Sequence, residues 1–200
     1  MTSETLRIIH AEHMALSAML STMTMLVAAR HHAGAPPEFG VLRAMLFYVD
    51  EYPEQQHHPK ESDLLFPRLR LRAPELAGVL DRLDRDHAAG ERKIRELEHA
   101  LLAFEVLGEA RREVFEQALD AYVKGYLDHM AIEESQVLPA AERLLTAADW
   151  AELDAAFAAN RDPLTGHPVP DAYAPLFTAI VNRLPAPFGL GPEAAGAPPS

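Results

Sequence analysis

The sequence contains no cysteine. That excludes disulfides, iron–sulfur clusters and thiolate zinc sites, and it is compatible with the cytosol. No apolar run approaches the ~20 residues needed to cross a bilayer. The opening Met-Thr-Ser-Glu-Thr-Leu-Arg lacks the basic region and apolar stretch of a secretory signal. Positive charge is scarce: 18 Lys and Arg face 30 Asp and Glu, for a net charge of −12. This balance argues against nucleic acid or an anionic membrane as the main partner. The expectation is a cytoplasmic chain bound to neither.

What is present points to one folded domain, with or without a tail. Of the 200 residues, 48% are apolar and 24% charged, enough for a full core and unlike a disordered chain. Ten histidines in so acidic a chain are the compositional oddity, and they point towards a metal.

The centre of the pattern is His-His-Pro-Lys-Glu-Ser-Asp-Leu-Leu-Phe-Pro, residues 57–67. His57 lies four before Glu61, and an apolar triplet closes on Pro67. The same skeleton returns at His129, Glu133, Val137, Leu138 and Pro139. Residues four apart on a helix share a face, so each copy aims an imidazole and a carboxylate the same way. Mixed nitrogen and oxygen donors at this spacing suit a transition-metal cation. A lone pair would carry little weight, and a third (His87 with Glu91) exists. The repeat carries the argument.

Helical periodicity runs through most of the chain. Ile9, His13, Leu16, Leu20, Met23 and Val27 form an apolar seam on a helix over 4–32, capped by Ser3 or Thr2 and ended by Gly34 to Pro37. A second helix spans about 38–72. Interior prolines cost ~3 kcal/mol and remove a backbone hydrogen bond, so Pro53 and Pro59 predict a kink near 53–59. A helix restarting at Pro59 would leave His57 outside it, without a basis for pairing with Glu61. A third helix opens at Pro74 with the seam Leu76, Leu80, Leu83, His87, Gly90, Ile94, Leu97 and Leu101, and Gly108 separates it from a fourth over 109–146. A short helix over 148–159 follows, then a Pro/Gly-rich stretch with one amphipathic piece around 173–184. The last fifteen residues read as disordered.

The expected fold is all-α: an up-down-up-down four-helix bundle over 1–146, with a short fifth helix and an irregular C-terminal tail over 147–200. Glu12-His13 on the first helix is matched by Asp86-His87 on the third, so the two halves resemble each other. Each half offers one lone histidine and one His-x-x-x-Glu. Burying four imidazoles and two carboxylates in an apolar seam is costly unless cations compensate them. A dinuclear site follows, each cation taking two histidines, with Glu61 and Glu133 bridging. Iron fits these donors, and manganese and zinc accept similar ones. A ferritin-like arrangement fails on placement: Glu54-x-x-His57 and Glu96-x-x-His99 fall on adjacent helices, and Tyr126 stands where the fourth helix would need Glu.

His13, His57-His58-Pro59-Lys60-Glu61 with Leu65-Phe66-Pro67, His87, and His129 with Glu133 together resemble the signature of hemerythrin-like (HHE cation-binding) domains, over roughly 4–146. The resemblance implies an up-down four-helix bundle with an oxo- or hydroxo-bridged non-haem di-iron centre. It carries His13, His57, Glu61, His87, His129 and Glu133 over as ligands. Oxygen carriers of this kind have a fifth histidine four residues from that of the third helix. Here those positions are Leu83 and Glu91, which leaves one iron more open. Peroxide, nitric oxide or iron-sensing chemistry is then favoured over reversible carriage of O2.

Other residues have plainer readings. His13 alone would be a core histidine, and it becomes a ligand only in company. His58 projects ~100° from His57 and would pair with Ser62, beside the ligands or exposed. His10 is expected at the surface and Glu91 solvated, each a candidate extra ligand. Tyr122 and Tyr126 read as core aromatics whose hydroxyls seek partners, and Tyr126, within one turn of His129, is placed to hydrogen-bond a metal-bound ligand or to coordinate directly. The functional expectation is a di-iron protein that binds or processes O2, NO or peroxide. The alternatives are an iron-sensing or iron-donating module, and a plain adaptor bundle whose histidines are structural.

Overall fold

The computed structural model describes residues 3–184 and 186–190. Among them there is no β-strand, and the chain is a bundle of helices. We label α1 (Glu4–His32), α2 (39–72), α3 (Ala77–Leu107), α4 (112–144), α5 (Ala147–Phe157) and α6 (Ala174–Val181). Short turns Pro74–Leu76 and Glu109–Arg111 lead into α3 and α4. Among the described residues no helix is long and apolar enough to cross a membrane.

The caps follow local chemistry. Ser3 Oγ accepts from the Thr5 amide at 3.1 Å at the head of α1. Thr2 lies outside the described residues. Gly34 (φ 61) and Gly108 (φ 76) take the positive φ that ends α1 and α3. Thr146 and Asp149 form a reciprocal cap on α5.

The second helix does not break at Pro59, contrary to that branch of the sequence reading. It stays helical but widens. In Asp50–His57 and Glu61–Leu65 the hydrogen bonds reach back five residues, as from the His58 amide to Pro53 and from Phe66 to Glu61. In α4 a third wide turn, Glu133–Val137, repeats the device with Leu138 bonded to Glu133. Each wide turn absorbs an extra residue ahead of a proline (Pro59, Pro67 or Pro139) that has no N–H to give. His57 therefore remains on the helix, and its geometry with Glu61 survives.

Burial falls in two apolar layers. A lower layer joins Leu6, Ile9, Phe66, Leu80, Leu83, Leu138, Leu153 and Phe157. An upper layer joins Leu16, Met19, Leu20, Tyr48, Ile94, Leu101, Phe115 and Tyr126 with Phe177, Ile180 and Leu184 from the C-terminal segment. In every long helix the predicted ligand lies between residues of the two layers. The segment after α5 is thus part of the core. Tyr48 donates its hydroxyl to buried Asp162 at 2.7 Å, and the Leu164 amide donates to the same carboxylate at 2.8 Å. Of the last fifteen residues, expected to be disordered, 191–200 lie outside the described residues. Leu190 turns back, its amide bonded to the Val181 carbonyl at 2.8 Å.

Candidate metal centre

Between the two layers the six predicted residues converge. His13, His57 and Glu61 place donor atoms within 4.8 Å of one another, as do Glu61, His87, His129 and Glu133. Glu61 belongs to both groups. The carboxylate of Glu133 faces both ways: Oε2 is 3.5 Å from His13 Nε2, while Oε1 is 3.2 Å from His129 Nε2 and 3.7 Å from His87 Nε2. Glu61 Oε2 lies 3.3 Å from His57 Nε2 and 3.6 Å from His87 Nε2.

All four oxygens of these glutamates are buried and accept no hydrogen bond, and His57 Nε2 is equally without a partner. Orphaned buried carboxylates are costly, so their convergence with imidazole nitrogens fits a cation. The 3.0 Å between His87 Nε2 and His129 Nε2 fits as well. Two nitrogens bound cis to one cation at ~2.1 Å stand about that far apart.

Behind three of the four histidines a partner fixes the ring. Glu12 accepts from His57 Nδ1 at 2.7 Å, Glu134 from His13 Nδ1 at 2.9 Å, and Ser62 meets His87 Nδ1 at 2.8 Å. His129 Nδ1 faces Asp86 at 3.8 Å, beyond hydrogen-bond reach. The two halves thus repeat behind the ligands also: Glu12 answers Asp86, and Ser62 answers Glu134.

The charges follow from this arrangement. Burial opposes a proton on His57, but Glu61 and Glu12 outweigh it and hold the ring well above the usual histidine range. His129 is raised in the same way, against burial, by Glu133. Burial would raise Glu133, yet His129 and His87 hold it well below the carboxylate range. Glu12 is lowered too, hydrogen bonds from His57 and Asn160 overcoming its burial. A cation entering among these groups would compete with protons for the imidazole nitrogens.

Of the two placements expected for His58, beside the ligands or exposed, the structure shows the first, without the pairing to Ser62. His58 is buried, and Ser62 bonds to His87 and Asp84 instead. The His58 ring stacks on His87 with centroids 4.1 Å apart and joins His87 and His129 in a third convergent group. Its Nδ1 faces Glu54 at 3.2 Å and its Nε2 meets the Tyr126 hydroxyl at 3.1 Å. Burial, with the neighbouring imidazoles, keeps it well below the usual histidine range. Glu54 is itself pushed up to about 7 by burial, against the Tyr126 hydrogen bond.

The remaining candidates stand aside. His10 is exposed and shares Glu134 with His13, at 3.0 Å. Glu91 is exposed on α3 and pairs with Arg95. Tyr126 touches His58 and Glu54. Sequence reasoning missed Glu54, Ser62, Glu134 and Asn160 as supports. Only the repeat could have flagged Ser62 and Glu134, which hold equivalent places in the two copies.

A cavity of about 320 Å³ between α3 and α4 reaches this second group of histidines. It is lined by Glu54, His58, His87, His129, Tyr122 and Gly125 among others. The first group borders a smaller space of about 10 Å³, room for about one water. The two sides differ in access.

Among known protein families, the model of the hemerythrin HHE cation binding domain matches residues 4–141. Comparison with curated proteins gave no match, and neither did comparison with solved structures.

Proposed function

The chain belongs to the hemerythrin HHE cation-binding domain family, and from that premise we propose that its His/Glu site is a non-haem di-iron centre in an up-down-up-down four-helix bundle. One iron would be held by His13 and His57, the other by His87 and His129, with Glu61 and Glu133 between them. The observation that carries this is Glu133, whose two oxygens face different histidine groups and accept no hydrogen bond.

Bound iron would supply redox change and an acceptor position for a small ligand. The chain's residues do the rest. Glu12, Glu134 and Ser62 hold the rings so that their Nε2 atoms face inward. The two apolar layers exclude water above and below. The α3/α4 cavity would admit O2, NO or peroxide to the His87/His129 side, and the Tyr126 hydroxyl lines it there. His58 lies beside that position, its Nδ1 facing Glu54 and its Nε2 meeting the Tyr126 hydroxyl, and because Leu83 and Glu91 provide no histidine, that iron would be the more open.

The test is metal content and visible spectrum of the purified chain, then addition of peroxide or NO to the diferrous form. Two irons per chain and a spectral change support the reading. A colourless, metal-free chain of full stability overturns it. An iron-sensing role draws on the same orphaned carboxylates, because a fold costly without metal couples loading to stability. Strong destabilisation by chelators with no reactivity towards either ligand would favour it.

A further inference from the structure

The family match ends at residue 141, but the supports of the centre do not. Asn160, just beyond α5, is 2% exposed. Its Nδ2 donates to both oxygens of Glu12, at 2.8 and 3.0 Å, and its Oδ1 accepts from Lys60. Glu12 in turn accepts from His57 Nδ1 at 2.7 Å. A chain of buried hydrogen bonds therefore runs from the C-terminal segment to one histidine of the centre.

The other half has no such chain. Its equivalent carboxylate, Asp86, stands 3.8 Å from His129 Nδ1, is 34% exposed and is drawn outward by Lys93 at 3.3 Å. An imidazole whose Nδ1–H is gripped by a carboxylate cannot turn, and it is a more basic donor through Nε2. The grip strengthens where the carboxylate is itself dry and fixed. Without the Asn160 amide, Glu12 keeps one of these three hydrogen bonds.

We propose that Asn160 is a positioning residue for the centre: by tying down Glu12 it fixes His57 and makes the two cation positions unequal, the His13/His57 position binding more tightly. This rests on the two-cation reading above.

The experiment uses the full chain. Metal-free protein is titrated anaerobically with Fe(II) against a competing chelator. In the wild-type chain two steps are expected. Asn160→Ala should weaken the tighter step by about 10–100-fold and leave the weaker one nearly unchanged. Asn160→Gln, which keeps the amide, should recover part of the loss. Asp154→Ala is the control for mere loosening of the same segment: Asp154 anchors it to Ser3 and Thr5, at 2.7 and 2.6 Å, without touching Glu12. It should lower thermal stability and leave both steps in place. Equal weakening of both steps by Asn160→Ala, no weakening, or the same selective loss from Asp154→Ala overturns the proposal.

A second readout needs no metal. The buried His57 Nδ1–H should give a slowly exchanging proton resonance in the wild-type chain that Asn160→Ala abolishes and Asp154→Ala does not. If the wild-type chain takes up no cation, the two-cation reading fails by itself. The resonance then decides whether Asn160 holds His57, and its persistence in Asn160→Ala refutes that hold.

Discussion

Gly90 of α3 and Glu54 of α2 share one space: a Cβ on Gly90 would lie on the Glu54 carboxylate, 2.6 Å from its Cδ. The glycine is there because the carboxylate is. Ala is ordinarily better than Gly inside a helix by about 1 kcal/mol. Here Gly90→Ala should instead destabilise by about 1–3 kcal/mol, because Glu54 must leave its bonds to His58 and Tyr126. Denaturant unfolding measures it. In a double-mutant cycle Glu54→Ala should restore the ordinary preference for Ala at position 90.

Cation binding should stabilise the fold. With Glu61 and Glu133 lacking donors, saturation at a hundred times the dissociation constant adds about 2.7 kcal/mol. Thermal unfolding with and without Fe(II), and after chelation, reads the difference. Glu133→Ala should abolish most of the metal-dependent shift, since that carboxylate serves both histidine groups.

Gly125 lines the α3/α4 cavity, and a side chain there would meet nothing within 4 Å. Gly125→Leu should therefore keep or raise stability, by up to about 1 kcal/mol from helix propensity. It should also slow binding of NO or peroxide to the loaded protein, by about tenfold or more. Stopped-flow mixing against an unfolding curve separates the two effects. An unchanged rate would show that the ligand enters elsewhere.

Asp162 should give stability an unusual dependence on pH. Burial raises it from 3.8 to about 6, against the hydrogen bond from Tyr48. The folded chain therefore binds this proton more tightly than the unfolded chain. The group's contribution is full below about pH 4 and is lost as pH rises through about 6. Across that window the wild-type chain should lose about 2–3 kcal/mol relative to Asp162→Asn, at ~1.4 kcal/mol per pH unit. Matched unfolding curves at pH 4 and pH 7 measure this. A constant difference between the two chains would contradict it.

That the six candidate residues converge was readable because helix geometry does most of the placing. Once His57 and Glu61 are four apart on a helix, they must share a face, and the apolar seam says which face turns inward. Only the pairing of His58 with Ser62 was misjudged, because an ordinary turn would aim the ring away, whereas the wide turns on either side of it bring it beside His87. Glu54 was judged only as a failed ferritin-like ligand, and its true role depends on a glycine of another helix. Asn160 could not be found by spacing at all, because it meets Glu12 across 148 residues of sequence. Contacts of that kind are set by how the C-terminal segment lies on the bundle, and no local period records them.

The wide turns Glu61–Leu65 and Glu133–Val137 each begin at the glutamate that enters the site. Rewound to ordinary pitch, the coil that follows would turn as a body. Such rewinding would swing Phe66 or Leu138 by about 100° around its axis, out of the dry floor on which the site stands. The floor therefore keeps the glutamates in phase. Loosening it would be felt first as misaligned carboxylates, while the imidazoles above still pointed home.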